Sequence, residues 1–109
     1  MSTMSTMSES DEREAIERWR RRIDELDASL LELLNQRARC ALEIGSAKGR
    51  LGLPVYDPER EAGILRRVVS GNTGPLGEDA VRRVFERILD ESRRLERTAG
   101  GPARGEPEE

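Results

Sequence analysis

The 109-residue chain has no histidine, a single cysteine, a single lysine and only three aromatic side chains, Trp19, Tyr56 and Phe85. Without histidine it lacks the usual general base and the commonest metal ligand, so neither a metal site nor a nucleophilic triad is expected. Cys40 alone allows no intrachain disulfide, and its place among apolar helix positions predicts a buried, inert thiol. The formal charge of −3 arises from 22 acidic and 19 basic residues spread along the chain. With no basic block and few rings to stack on bases, nucleic acid is not an expected ligand. No apolar run approaches the roughly 20 residues that span a bilayer, and the polar start MSTMSTMSES has none of the sections of a signal peptide, so the chain is expected to be cytoplasmic and off the membrane.

Apolar surface is also scarce. Hydrophobic residues make up 35% of the chain against 38% charged, too little for a large private core, and a partner chain is expected. Eighteen arginines stand against the one lysine, Lys48. Such a bias most simply reflects genome base composition, which would leave a lysine preferentially where an arginine cannot serve, although one lysine can also survive by chance.

What remains is helical. Residues 1–11, with their Met-Ser-Thr repeats, and 98–109, rich in Gly, Pro and Glu, read as disordered flanks of one helical domain over 12–97. In the first helix Ile16, Trp19, Ile23, Leu26, Leu30, Leu33, position 37, Cys40, Ile44 and Ala47 recur at spacings of three and four, a coiled-coil-like seam. The pattern predicts a helix from about Asp11 to Lys48, roughly 55 Å long, whereas a compact domain of 100 residues has a radius of gyration of about 13 Å. Its far half is expected to pack on another copy of the chain. Gly49, Gly52 and Pro54 are expected to end it. Asp57 then reads as the N-cap of a second helix, with Pro58 at its first position and Ile64, Leu65, Val68 and Val69 as its apolar face to about Ser70. Gly71, Asn72, Gly74 and Pro75 break that helix. A third is expected from about Glu78 to Arg97, with a stripe of Val81, Phe85, Ile88, Leu89 and Leu95.

Charges on these apolar faces are costly unless paired or used, so chemistry is sought there. Arg37 takes a core position of the seam. Lys48, eleven residues on, returns to within about 20° of the same face some 16 Å further along. Two long cations could therefore grip opposite ends of one small dianion. Arg20 flanks the seam about 25 Å before Arg37 and could join its site only from an antiparallel second chain. Asp57, Arg60 and Glu61 lead into the face of the second helix, and Ser92 and Glu96 interrupt that of the third. Each has a plainer explanation. Arg37 could form a register-setting ion pair, Arg20 belongs to a run of arginines that reads as a solvated face, and Asp57 is sufficient as a cap. Arg60 and Glu61 could be a surface pair, Ser92 could bond back to its own helix, and Glu96 could be exposed. Against these stands their joint placement on core-facing stripes.

The residues resemble the AroQ class of chorismate mutases, whose opening pattern, Arg-x-x-Ile-x-x-Leu-Asp, stands here as Arg20-Arg21-Arg22-Ile23-Asp24-Glu25-Leu26-Asp27. Leu30 to Arg37, Ile44-Gly45-Ser46-Ala47-Lys48 and Pro54 to Glu61 follow at the family's spacing, and the likeness covers roughly residues 14 to 97. It implies an all-α, intertwined homodimer of three-helix chains with two shared active sites and no cofactor. It further implies that Arg37, and Arg20 from the other subunit, bind the two carboxylates of chorismate. Lys48 would donate to the ether oxygen whose bond to the ring breaks and touch a carboxylate. Asp57 and Glu61 would hold the ring hydroxyl, Arg60 and Ser92 would complete the carboxylate end, and Glu96 would donate to the ether oxygen opposite Lys48. Glutamate donates only when protonated, so activity is expected to decline as pH rises. Three rivals stand beside this reading: an isochorismate-pyruvate lyase of the same fold, a non-catalytic helical dimer regulating a shikimate-pathway enzyme, and a generic coiled-coil module. The pattern Asp57-x-x-Arg60-Glu61 favours the mutase. No fused dehydratase or dehydrogenase domain is expected.

Overall fold

The computed structural model describes residues 8–101. It contains three helices, α1 (Glu9–Leu51), α2 (Pro58–Ser70) and α3 (Glu78–Gly100), and no strand among the described residues. The all-α architecture follows from the periodicity. Of the flanks 1–11 and 98–109 expected to be disordered, residues 1–7 and 102–109 lie outside the described residues, whereas residues 9–11 and 98–100 are helical. The chain divides into two units, one ending at Gln36 and one beginning at Arg37, with α1 contributing to both.

Three helix ends differ from the sequence reading, each for a local reason. At the start of α1, Ser8 Oγ accepts a hydrogen bond from Asp11 N at 3.1 Å while Ser8 N donates to Asp11 Oδ2 at 3.4 Å. This reciprocal pair satisfies two orphan amides and sets the helix start at Glu9, two residues before the expected Asp11. At the other end Gly49 lies inside α1. Termination falls to Gly52, whose φ of 70° is open to glycine. Leu53 N donates to Lys48 O at 2.9 Å and Gly52 N to Gly49 O at 3.3 Å, the paired bonds of a Schellman motif. The third difference is that α3 continues past Arg97 to Gly100.

The α2 start is as the sequence dictates. Asp57 Oδ1 accepts from Arg60 N at 3.0 Å with Pro58 in the first turn, and α2 ends at Ser70.

Within the C-terminal unit the core is small, centred on Ala41, Ile64, Val81 and Leu89. The last turns of α1 meet α3 through glycine. A Cβ on Gly45 would stand 2.5 Å from Glu96 Cα and O, and one on Gly49 would stand 2.5 Å from Gly100 O. No real Cβ approaches so closely, so these positions bring the two backbones together, and that contact carries α3 to Gly100.

The N-terminal unit is different in kind. Ile16, Trp19, Ile23, Leu26, Leu30 and Leu33 lie along one helical seam, and each is about half exposed or more, from 48% for Leu26 to 66% for Trp19. A contiguous apolar stripe of this length is far more than an isolated surface helix tolerates. Among the described residues, no helix is long and apolar enough to cross a membrane.

Candidate active site

A cavity of about 410 Å³ opens within the C-terminal unit. Its walls carry Arg37 and Lys48 from α1, Asp57, Arg60 and Glu61 from the start of α2, and Ser92 and Glu96 from α3. Seven of the eight candidate residues therefore face one space. Arg20 stands in the N-terminal unit, where its exposed guanidinium donates to Glu17 Oε1 at 2.9 Å.

The polar groups are held from behind. Arg37 Nη1 donates to Ser92 Oγ at 2.5 Å, and Ser92 Oγ in turn donates to Ile88 O, one turn back, at 2.9 Å. The serine thus bonds to its own helix, as the plain reading had it, and also presents its hydroxyl oxygen to Arg37. Helical periodicity explains the meeting: Ile88 and Ser92 lie one turn apart on the face that α3 turns toward α1. Lys48 Nζ donates to Val55 O at 2.8 Å and stands 2.7 Å from Glu96 Oε1, with both side chains under 20% exposed. Although near the ammonium, Oε1 lies outside hydrogen-bonding orientation and is a buried oxygen with no donor. The contact is therefore an ion pair rather than a hydrogen bond. An ammonium has three donors, and Val55 engages one of them.

Charge is unevenly compensated. The guanidinium groups of Arg37 and Arg60 form no ion pair among the described residues. Asp57, an exposed residue of the cavity wall, spends one oxygen on the α2 cap. Glu61, 19% exposed, accepts from Arg93 Nη1 at 2.5 Å. Arg93 also bonds Asp90 and lies over the Tyr56 ring at 5.6 Å from its centroid. The hydrogen bond to Glu61 holds the Arg93 guanidinium above its already high ordinary value, against the opposing effect of burial. It is a cation at any working pH.

Two features differ from the sequence reading. Cys40 is exposed and lines the cavity instead of being buried, because at that turn Ala41 and Gly45 are the residues pressed into the unit. Arg93, also on the cavity wall, was not legible: in Asp90-Glu91-Ser92-Arg93-Arg94 it reads as part of a solvated face. The nearby Tyr56 and Glu61 were the only hints, and they become one only once α2 and α3 are packed.

The profile of the chorismate mutase type II family matches residues 19–97. A bifunctional chorismate mutase/prephenate dehydratase from Neisseria gonorrhoeae is 45% identical over 78 residues, covering 72% of this chain and 21% of that protein. Its counterpart from Pseudomonas aeruginosa is 41% identical over 95 residues, 83% of this chain and 25% of the relative. The chain thus spans about a quarter or less of the length of these curated relatives. Among solved structures, a chorismate mutase from Thermus thermophilus superposes with a TM-score of 0.74 at 36% identity, covering 75% of this chain and 93% of that one.

Proposed function

We propose that this chain, which belongs to the chorismate mutase type II family, rearranges chorismate to prephenate in a cavity completed by a second copy of itself. The observation that carries the reading is the uneven charge of the cavity. Arg37 and Arg60 face it without carboxylate partners, and Lys48 faces it with hydrogen-bonding capacity to spare.

Chorismate carries two carboxylates, an ether oxygen and a ring hydroxyl. In the rearrangement the ether C–O bond breaks as a C–C bond forms, with no atom gained or lost. No base or nucleophile is required, which suits a chain without histidine. The enzyme must fold the enolpyruvyl arm over the ring and stabilise charge at the departing oxygen. Arg37, steadied by Ser92, binds one carboxylate, Arg60 supports that end of the substrate, and Arg20 of the partner subunit binds the other carboxylate. Together they hold a near-attack shape. Lys48 points a compact donor at the ether oxygen from a position fixed by Val55 O, so little reorganisation is needed as charge develops. Asp57 and the second oxygen of Glu61 accept from the ring hydroxyl. The reaction is placed in the cytoplasm.

Glu96, a carboxylate paired with Lys48 in the free chain, serves as donor from that side once it takes up a proton with the substrate, since a carboxylate has no proton to give. Activity is expected to decline as pH rises, and Glu96→Gln, which always carries an N–H donor, is expected to flatten the profile. A kcat/KM profile measured from pH 5 to 9 that keeps the parent's shape in the variant refutes that role.

The exposed seam of α1 supports the second copy, since Leu26, Leu30 and Leu33 need cover. Leu26→Glu with Leu30→Glu is expected to give a monomer in sedimentation and to lose nearly all turnover of chorismate. Arg20→Ala is expected to stay dimeric and be impaired. Exchanging equal amounts of Arg20→Ala and Arg37→Ala chains is expected to restore about a quarter of parental activity, because half the dimers then hold one intact composite site. No recovery on mixing rules out sites shared in this way.

The isochorismate-pyruvate lyase alternative is separated by supplying each substrate in turn. Turnover of isochorismate with none of chorismate displaces the mutase reading.

A further inference from the structure

Arg93 has no part in the chemistry just described, yet its placement is too constrained for a surface charge. Its side chain is 22% exposed, lies on the cavity wall and joins three groups from three segments. It donates to Glu61 Oε1 on α2 at 2.5 Å, bonds Asp90 one turn back on its own helix, and covers the face of Tyr56 in the α1–α2 loop. A guanidinium does this because it is planar, offers donors along two edges and stacks on rings. The same loop is tied on its other side by Lys48 through Val55 O.

We propose that Arg93 is a positioning residue that fixes Glu61 for the substrate's ring hydroxyl and offsets its charge. The inference rests on the proposed mutase activity and deepens it. By engaging Oε1, Arg93 leaves Oε2 as the free acceptor and removes the rotamer freedom that Glu61 would otherwise lose on binding. Its second effect is electrostatic. The cavity wall bears four cations, Arg37, Lys48, Arg60 and Arg93, against three carboxylates, Asp57, Glu61 and Glu96. Without Arg93 this wall loses its excess of positive charge, and only Arg20 of the partner subunit is left to supply one to the dianion. Both effects act on binding of the bound ground state as well as the transition state, so they appear in KM more than in kcat.

The test is a double-mutant cycle on chorismate turnover in the full chain, using Arg93→Met, which keeps a long stem, with Glu61→Gln. Arg93→Met is expected to raise KM about tenfold with kcat within about threefold of the parent. Arg93→Lys, which keeps the charge and can reach one carboxylate, is expected to recover most of the rise. In the Glu61→Gln background, Arg93→Met is expected to add little to KM, since the group it orients is already altered. Thermal melts run alongside: a fall in Tm with KM unchanged assigns Arg93 a structural role only and overturns the proposal. Independent, multiplicative effects of the two substitutions on KM overturn it as well. A parent chain that leaves chorismate untouched fails the mutase reading itself and brings this inference down with it, an outcome distinct from an active parent insensitive to Arg93.

Discussion

Lys48→Ala is expected to lower kcat/KM for chorismate by about 10³-fold, the loss typical of removing one preorganised donor from a developing oxyanion. The expectation follows from how the ammonium is held. Val55 O fixes Nζ from one side and Glu96 lies 2.7 Å away on another, so under the proposed mechanism the donor is aimed before substrate binds. Alanine also leaves the Glu96 carboxylate, 13% exposed, without its cation, and stability is expected to fall by about 1–3 kcal/mol. These two losses separate in Lys48→Ala/Glu96→Gln. That double variant removes the stranded charge and is expected to regain most of the stability while remaining as poor a catalyst as Lys48→Ala. Lys48→Arg is expected to recover little activity, because a planar fork cannot place one compact donor between Val55 and the ether oxygen. The decline of chorismate absorbance and a thermal melt measure both quantities. Activity of Lys48→Ala within tenfold of the parent contradicts the role given to the ammonium.

Lys48 also shows why so much of this site could be read without coordinates. Eleven residues on a helix bring two side chains back to one face, and polar residues on an apolar stripe announce themselves by their cost. Arg37, Ser92 and Glu96 were legible for that reason, and Asp57 because cap chemistry is local. The residues that escaped are those whose meaning depends on what packs against them. Arg93 sits among charges and becomes distinct only when α2 brings Glu61 to it. Cys40 looked buried because the seam pattern does not say which of its positions fronts a cavity. Gly49 looked like a stop signal because glycine ends helices often and joins them more rarely. In the sequence Gly45 and Gly49 stand one turn apart at the end of the long helical pattern, and that spacing was the overlooked sign of a close helix crossing.

The crossing gives the second large effect. Gly45→Val is expected to destabilise the chain by about 3 kcal/mol, at the upper end for overpacking, because the new Cβ meets backbone instead of a movable side chain. It would stand 2.5 Å from both Glu96 Cα and Glu96 O, so relief requires α3 itself to move. That movement carries Glu96 away from Lys48 and Ser92 away from Arg37, and a displacement of about 1 Å in such a constellation costs on the order of 10²-fold in rate. Activity is therefore expected to fall at temperatures where the variant is still folded by circular dichroism. Gly45→Ala is expected to show the same pattern at smaller amplitude. Gly63 supplies the control: it lies inside α2, and a Cβ there meets only the end of the Arg66 side chain at 3.7 Å. Gly63→Ala is expected to stabilise the chain by about 0.5–1 kcal/mol through helix propensity, with activity unchanged. If Gly45→Val melts with the parent and turns over chorismate at the parental rate, α1 and α3 do not meet at Gly45, and the register that seats Lys48 against Glu96 is wrong.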